Sequence, residues 1–257
     1  MSQGGKDIPI TPSGTRRGDW FRALTWIRRN GGGSSWEMPK GAVMHHGIQP
    51  GRIQIVPFGL HGSMEHGGSF SENPIRPASA PPLGDVRGPG PLTDGGPALR
   101  EMDVRALEAD LKLPLDGDYR QFLLTQNGGR PSRPAFLVDG RDRGECLGHF
   151  FGLEAGPDAS LRGALKIYAG RIAQGLLPIA CDPFGNLILL GLANPQAGQV
   201  LFWDHEEEEA IDGVSAGENI RLVAPSFASF LDAFRNLADG AFVTVNHLDA
   251  ADHQYQA

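Results

Sequence analysis

The stretch that decides the fold runs from residue 176 to residue 209 and reads LLPIACDPFGNLILLGLANPQAGQVLFWDHEEEE. Three short apolar runs, Leu176 to Cys181, Asn186 to Leu192 and Gln199 to Trp203, are separated there by two sets of turn residues. In the first set, Asp182-Pro183-Phe184-Gly185, proline suits the second position of a β-turn and glycine tolerates positive φ. The pattern therefore predicts a three-stranded meander.

The third apolar run ends in a run of charge. It continues as Trp203, Asp204, His205, Glu206, Glu207, Glu208 and Glu209. A buried strand cannot extend through four adjacent carboxylates, because burying unpaired charge is costly. Two interpretations stay open at this point. The run is either a solvated loop after a core hairpin, which is ordinary protein surface, or part of a surface that binds a partner.

Composition and charge both change near residue 100. Residues 1–100 hold 19 Gly and 12 Pro, whereas residues 101–257 hold 17 Gly and 8 Pro. A Gly and Pro content of roughly 30% is typical of disordered or low-complexity sequence. Formal net charge is +4 over the first part and −11 over the second. We predict a disordered, low-complexity region over 1–100, a folded domain over 101–240 and a loose tail over 241–257.

The acidic balance of the second part argues against a nucleic-acid ligand, because phosphate backbones repel it, and favours a basic protein partner. Cys146 and Cys181 both lie in apolar runs and are interpreted as core residues, not as a disulfide or a metal pair. No signal peptide, membrane span or cofactor motif is present, so cytoplasmic localisation is expected.

Few elements are predicted before residue 100. Asp19 is predicted to cap a short helix over Trp20 to Arg29, and Arg52 to Phe58 is the one strand-like run after residue 34. Four histidines invite a metal interpretation: His45, His46, His61 and His66. They lack HExxH spacing and a rigid frame, so we predict no metal site.

The folded part is predicted to be α+β, with a mixed sheet of about six strands and helices packed against it. The remaining predicted strands are Ala135 to Val138, Cys146 to Leu153 and Ile220 to Val223. The predicted helices are 104–110, 119–126 capped by Asp118, 159–174, and a last helix from Pro225 in which Phe227, Phe230, Leu231, Phe234 and Leu237 share one face.

An ordered set of weak motifs runs from about Met102 to Leu237: Leu107-Glu108, Asp118-Tyr119-Arg120, Phe122-Leu123, Asn127-Gly128-Gly129, Leu177-Pro178-Ile179-Ala180 with Asp182, Gly185 and Asn186, then Gly198, Val200 to Glu206, Ser226-Phe227 and Phe230-Leu231. In this set the chain resembles the SMI1/KNR4 family, also called the SUKH superfamily. One departure is visible, since Leu115 is followed by Asp116-Gly117 where relatives have Leu-Pro. Because Met102 lies where such a domain begins, an alternative start at Met102 is a further prediction.

The resemblance implies an α+β binding module and no catalytic residues. Many bacterial members are immunity proteins that neutralise a cognate toxin, often a nuclease, and fungal members are regulatory scaffolds. An acidic inhibitor suits a basic nuclease, because complementary potential speeds association. We therefore favour an immunity protein over a regulatory scaffold, and either over an enzyme, since the adjacent Asp204, His205 and Glu206 would point in different directions along a strand end.

The partner surface is predicted to comprise Trp203, Asp204, His205, Glu206, Glu207, Glu208 and Glu209, with Trp203 as a possible anchor at its edge, because Trp is enriched among residues that dominate interface energy. The charged hairpin from Asp139 to Glu145 is the next candidate surface.

Overall fold

The computed structural model describes residues 7–47, 49–63, 82–138, 140–153, 156, 160–205 and 219–238. The helices are α1 (Arg16–Ile27), followed by a π-helical turn (Arg28–Gly32), α2 (Phe58–Gly62), α3 (Glu101–Leu111), α4 (Gly117–Gln126), α5 (Leu161–Ile167) and α6 (Phe227–Ala233). The strands are β1 (Ile8–Pro9), β2 (Ala42–His46), β3 (Arg52–Pro57), β4 (Leu83–Arg87), β5 (Leu92–Thr93), β6 (Arg130–Pro131), β7 (Ala135–Val138), β8 (Arg141–Cys146), β9 (His149–Phe150), β10 (Leu176–Cys181), β11 (Leu187–Gly191), β12 (Val200–Trp203), β13 (Ile220–Ala224) and β14 (Phe234–Leu237).

The predicted meander is confirmed and lies at the centre of a five-stranded sheet in the order β13-β12-β11-β10-β9. Leu177 pairs with Leu190, and Ile188 pairs with Phe202 in the next strand. Every residue of β11 and β12 is buried, so these two strands show continuous apolar sequence instead of alternation. The predicted strand near residue 220 forms the outer strand of this sheet, as expected.

The α+β class is confirmed, but the strands do not form one mixed sheet. They form sheets of five, four, three and two strands, and all named strand pairs in the described residues are antiparallel. The four-stranded sheet has the order β4-β14-β7-β8. Two of these strands come from parts of the chain for which the sequence predicted a linker and a helix.

The last predicted helix is half right. It begins as predicted, with Ser226 capping α6 by accepting a hydrogen bond from the Ser229 amide. The backbone becomes extended at Phe234 (φ −67°, ψ 148°), and β14 pairs with both β4 and β7. Phe234 still contacts Phe230, with ring centroids 5.0 Å apart. The apolar residues of this stretch therefore pack into one core, first from a helix and then from a strand. The spacing of these residues alone cannot distinguish the helical part from the strand.

Two other boundaries differ from prediction. α5 ends at Ile167 instead of 174, because Gly170 adopts a left-handed φ of +82°. α4 is capped by Asp116 and not by Asp118, since the Asp116 carboxylate accepts hydrogen bonds from the amides of Asp118 and Tyr119. Asn127 ends α4 in the left-handed conformation, as the Asn-Gly-Gly signal predicts. The Asp116-Gly117 departure from the family pattern is thus an N-cap.

The described part of the first hundred residues differs from the predicted disorder. It contains α1, α2 and the three-stranded sheet β1-β3-β2, of which the sequence predicted only β3 and part of α1. Ile8, Leu24, Met44 and Ile53 form a small core of their own, completed by Phe184 from the meander. Apolar contacts with the rest of the chain thus stabilise helices and strands in a region whose Gly and Pro content disfavours them. The division at residue 100 stays a prediction, as does an alternative start at Met102, which lies inside α3.

α1 begins earlier than predicted. Thr15 is its N-cap and accepts a hydrogen bond from the Gly18 amide at 3.1 Å, so the helix starts at Arg16. Asp19, the predicted cap, lies buried in the first turn, where it accepts a hydrogen bond from the Ser13 amide and pairs with His46. The earlier start turns Arg16 and Arg17 into helical residues that face the rest of the protein. None of the helices in the described residues has the length and apolar character to cross a membrane.

Candidate functional site

The turn between β10 and β11 is the structural centre of the site. The Asp182 carboxylate accepts hydrogen bonds from the amides of Phe184 and Asn186, at 2.8 and 2.9 Å, and from Asn186 Nδ2 at 2.8 Å. Gly185 has a φ of +93°, and a Cβ there would lie 2.6 Å from His61 Nδ1. Asp, Gly and Asn are thus each required by the geometry of this turn, which explains why the three residues stand together in the motif.

The end of β12 is tied to the same turn. Asn186 Oδ1 accepts hydrogen bonds from the His205 amide at 3.1 Å and from His205 Nδ1 at 2.6 Å. Asp204 and Asn219 are joined by Asp204 N to Asn219 O and by Asn219 Nδ2 to Asp204 O, both at 2.9 Å. Asp204 and His205 are therefore buried parts of a hydrogen-bonded network and are not exposed surface.

Trp203 packs in the core, as in the interpretation that the third apolar run belongs to a core hairpin. It is fully buried. Its ring lies 5.4 Å from that of Tyr168 in an edge-to-face arrangement, and Arg171 lies over its face at 5.4 Å. A side chain in this position supports the fold and is not available as an exposed anchor.

Three buried carboxylates converge beside this network. Glu145 of β8, Asp182 and Asp204 form what we call the carboxylate cluster, and the exposed fraction of each residue is 6%, 0% and 2%. Arg221 of β13 reaches the cluster from its outer side, with Nη2 3.6 Å from Asp204 and 3.9 Å from Glu145. The cluster therefore carries more negative than positive charge within the folded domain.

Arg16 of α1 supplies the second cation. Its guanidinium lies 2.5 Å from Asp204 Oδ2, 3.6 Å from Glu145 Oε1 and 3.7 Å from Asp182 Oδ2. Its Cζ also lies over the Phe202 ring at 5.4 Å, and Arg221 lies over the same ring at 4.9 Å. One arginine from residues 7–63 thus contacts all three carboxylates and an aromatic face.

The neighbouring Arg17 strengthens this contact between α1 and β8. Its Nη1 and Nη2 donate to the two oxygens of Asp142, each at 2.8 Å, in a bidentate pair. The Arg17 side chain is buried, whereas that of Asp142 is 38% exposed. Asp142 and Glu145 both belong to the charged hairpin that the sequence marked as the second candidate surface, so that hairpin does reach the site.

Burial dominates the acid-base properties of the cluster. Desolvation raises the pKa of Asp182 to about 7, against the opposing effects of Arg16 and of the hydrogen bonds that it accepts. Desolvation likewise raises the pKa of Glu145, although Arg16 and Arg221 lower it. A carboxylate whose charge is disfavoured by burial gains from any further cation that can reach it. The cluster therefore favours positively charged groups.

One pair of residues could suggest nucleophilic catalysis. Cys181 Sγ lies 3.4 Å from His149 Nδ1, and both residues are buried. Burial raises the pKa of the Cys181 thiol well above its usual value and lowers the pKa of His149 to about 3. A reactive cysteine needs a lowered thiol pKa, so both shifts oppose an activated thiolate. This pair packs in the core and does not provide a nucleophile.

Three histidines lie close together next to the cluster. The ring centroids of His45 and His61 are 5.2 Å apart, and those of His61 and His205 are 4.8 Å apart. Even so, no group of three or more His, Cys, Asp or Glu side chains in the described ranges has an arrangement that could hold a metal ion. His46 pairs instead with Asp19, and His66 lies outside the described residues.

The four glutamates of the predicted partner surface, Glu206 to Glu209, also lie outside the described residues. The chain leaves the described part after His205 and re-enters it at Asn219, and both residues belong to the network beside the carboxylate cluster. Sequence analysis missed Arg16, Arg17 and Arg221 as site residues. The available signal was the adjacent Arg16-Arg17 pair after Ser13-Gly14-Thr15, a capping sequence that could have shown that a helix begins there.

A cleft separates α1 from the strands of the domain on the side of Asp182. Its volume is about 510 Å³, and its apolar lining includes Trp20, Leu24 and Trp36. Arg130 and His149 contribute polar atoms to the same walls. The cleft lies beside α1, although Phe21, Ala23 and Leu24 of this helix are buried.

Comparison with known proteins agrees with this architecture. Residues 98–233 match the SMI1 / KNR4 family (SUKH-1), a match over just more than half of the chain. The SPbeta prophage-derived uncharacterized protein YokK of Bacillus subtilis (strain 168) is 33% identical over 145 residues, an alignment that covers 50% of this chain and 70% of that protein. The chain therefore belongs to the SMI1 / KNR4 family (SUKH-1).

Proposed function

We propose that this protein is a non-enzymatic binding module that acts as an immunity protein, neutralising a basic toxin by protein–protein contact. The observation that supports the proposal is the formal net charge of −11 over residues 101–257. This acidic part contains most of the match to the SMI1 / KNR4 family, over residues 98–233. A relative of prophage origin agrees with a role in competition between mobile elements or cells.

The site geometry supports binding more than catalysis. The most buried polar groups are fixed by one another, as in the Asp182, Asn186 and His205 network. The Cys181–His149 pair is held in its neutral form by burial. Groups that are neutral and already hydrogen-bonded are poorly suited to proton transfer or nucleophilic attack. We accordingly assign no catalytic residue and place the protein in the cytoplasm, where its two free cysteines stay reduced.

The proposed contact surface is the acidic run Glu206 to Glu209, which continues from the carboxylate cluster along the chain. Trp203 is excluded as a direct contact because it is buried. A nuclease toxin presents positive charge to hold phosphates, so an acidic run gains encounter rate by attraction over distances of about 8 Å at physiological salt. A regulatory scaffold is the alternative function, and it predicts several partners of which none needs to be a toxin.

The test begins by identifying a toxin gene beside this one and uses the toxin that it encodes. Changing Glu206, Glu207, Glu208 and Glu209 together to Gln should slow association with the toxin roughly tenfold or more at low salt and weaken its salt dependence. Protection of cells that express the toxin should fall with it. The matched control neutralises four exposed aspartates elsewhere, Asp85, Asp110, Asp118 and Asp232, which removes the same charge.

Equal association rates for the two fourfold variants would show that only total charge matters and would remove Glu206 to Glu209 as the contact. If the full-length protein neither binds nor neutralises the toxin, the immunity function itself is refuted. Co-purification with several non-toxin proteins would then favour the scaffold.

A further inference from the structure

We infer that the carboxylate cluster is a receptor for an arginine side chain of the partner protein, and that Arg16 fills this receptor from within the same chain until the partner displaces it. The inference rests on the proposed function in that it gives the binding module a second contact and a form of regulation. It depends on different residues from those of the acidic run.

The receptor and its occupant come from different parts of the chain. Glu145, Asp182, Asp204 and Arg221 all lie within residues 98–233, which match the family, whereas Arg16 precedes that match by more than 80 residues. The family domain therefore contains a preformed acidic pocket, and residues before the domain insert a cation into it. Arg16 therefore occupies the pocket as a bound ligand would, although it belongs to the same chain.

The shape of the pocket selects guanidinium over ammonium. Three carboxylates approach the planar group from different edges at 2.5, 3.6 and 3.7 Å, and the Phe202 ring covers one face at 5.4 Å. A planar fork of five donors can satisfy several acceptors and stack on a ring at the same time, which a lysine ammonium cannot do. A partner would therefore present an arginine.

The pocket also has binding capacity that Arg16 does not use. Glu145 is 6% exposed, and among the described residues its Oε2 accepts no hydrogen bond. A buried carboxylate oxygen without a donor is costly. Arg16 is 3.6 Å from the other oxygen, Oε1, which is longer than a good charge-assisted hydrogen bond. A guanidinium with a different approach could donate to both oxygens and bind better than Arg16.

The contacts that hold Arg16 and Arg17 are charged, whereas Phe21, Ala23 and Leu24 farther along α1 are buried apolar residues. The charged first turn of α1 carries Arg16 and Arg17, and the cleft of about 510 Å³ is lined by Trp20 and Leu24. Asp142, the partner of Arg17, is 38% exposed, so that its pairing with Arg17 is open to competition by water. Displacement is therefore expected to release the charged first turn while Leu24 keeps the rest of α1 in the small core with Met44 and Ile53.

The first experiment tests the pocket with a small probe. Full-length Arg16→Ala should bind N-ethylguanidinium saturably and regain thermal stability, whereas the wild type should not respond. N-ethylammonium, which has the same charge, should stabilise Arg16→Ala several-fold less, and Arg16→Ala with Asp204→Asn should lose the response. Arg143→Ala, which removes an exposed arginine of β8, is the charge-matched control and should behave as wild type.

The second experiment tests displacement, because a fixed structural arginine would also pass the first. A labelled hexa-arginine peptide should bind Arg16→Ala about tenfold more tightly than wild type, as expected if Arg16 occupies the site about 90% of the time. Arg143→Ala should stay at the wild-type affinity, and hexa-lysine should not discriminate between the proteins. In the wild type, the peptide should also speed hydrogen exchange of the amides of residues 16–24.

Equal peptide affinity for Arg16→Ala and wild type, or unchanged hydrogen exchange in α1, would overturn the inference and leave Arg16 as a fixed part of the fold. If Arg16→Ala does not fold alone, its refolding yield with N-ethylguanidinium is compared with that in sodium chloride; equal yields would equally overturn it. None of these measurements uses the toxin, so their failure leaves the immunity function standing, and failure of toxin binding leaves the receptor standing.

Discussion

The raised pKa of Asp182 makes a quantitative prediction about stability and pH. The perturbation is Asp182→Asn, which keeps an oxygen to accept from the amides of Phe184 and Asn186 but cannot ionise. In the wild type the group has a pKa of about 7 when folded, against 3.8 for an ordinary aspartate. The folded state therefore binds the proton more tightly than the unfolded chain. This group's contribution to stability is complete below pH 3.8 and is lost as pH rises through about 7.

The magnitude follows from the size of the shift. About three pK units at about 1.4 kcal/mol each correspond to about 4 kcal/mol of unfolding free energy. On going from about pH 4 to about pH 8, the wild type should therefore lose up to about 4 kcal/mol relative to Asp182→Asn. His149 titrates in the opposite sense, but it is present in both proteins and cancels in the difference between them.

The assay is urea unfolding of both proteins at a series of pH values, followed by circular dichroism. A difference in unfolding free energy that stays constant within about 0.5 kcal/mol across this range would refute the reasoning. An unfolding free energy of the wild type that increases relative to that of Asp182→Asn as pH rises would refute it more directly. It would mean that Arg16 and the three hydrogen bonds to the carboxylate outweigh its burial and keep Asp182 ionised.

Three further predictions concern neighbouring residues. His149→Gln should resist acid better than the wild type. The pKa of His149 is about 3 in the folded protein against an ordinary value of 6.5, so the wild type loses stability as pH falls from 6.5 to about 3. Acid titration of the folded fraction measures this difference. Trp203→Ala should lower the unfolding free energy by about 3–5 kcal/mol, because a fully buried indole leaves a cavity, and a loss below about 1 kcal/mol would contradict its place in the core. Gly185→Ala should cost more than Gly140→Ala in thermal unfolding, since both have positive φ but only Gly185 would bring a Cβ within 2.6 Å of another residue. Equal losses for the two alanine variants would show that the contact with His61 relaxes freely.

Local sequence determined the meander and the short helix ahead of it. Asp182-Pro183-Phe184-Gly185 and the apolar runs on either side specify a hairpin through turn geometry and burial, both of which are readable from neighbouring residues. Asn127 ends α4 in the left-handed conformation for the same reason. The family match over residues 98–233 agrees with motifs whose order was visible in the sequence.

Tertiary structure alone decided where the aromatic series and the charges lie. Phe234 has helical spacing from Phe230, yet pairing with β4 and β7 makes it a strand residue, because strand partners distant in sequence compete with the local period. Trp203 and Asp204 look like the edge of a surface, but Tyr168 and Arg171 pack against Trp203, and Arg16 of α1 pairs with the buried Asp204.

The carboxylate cluster could not have been found from the sequence. Arg16 and Asp204 are 188 positions apart, and no local pattern links them. The energy that brings them together arises from desolvated charges on separate parts of the chain, and such an interaction exists only once the chain has folded. The sequence by itself determined the family domain and its acidic balance, whereas the pocket and its internal arginine are consequences of tertiary packing.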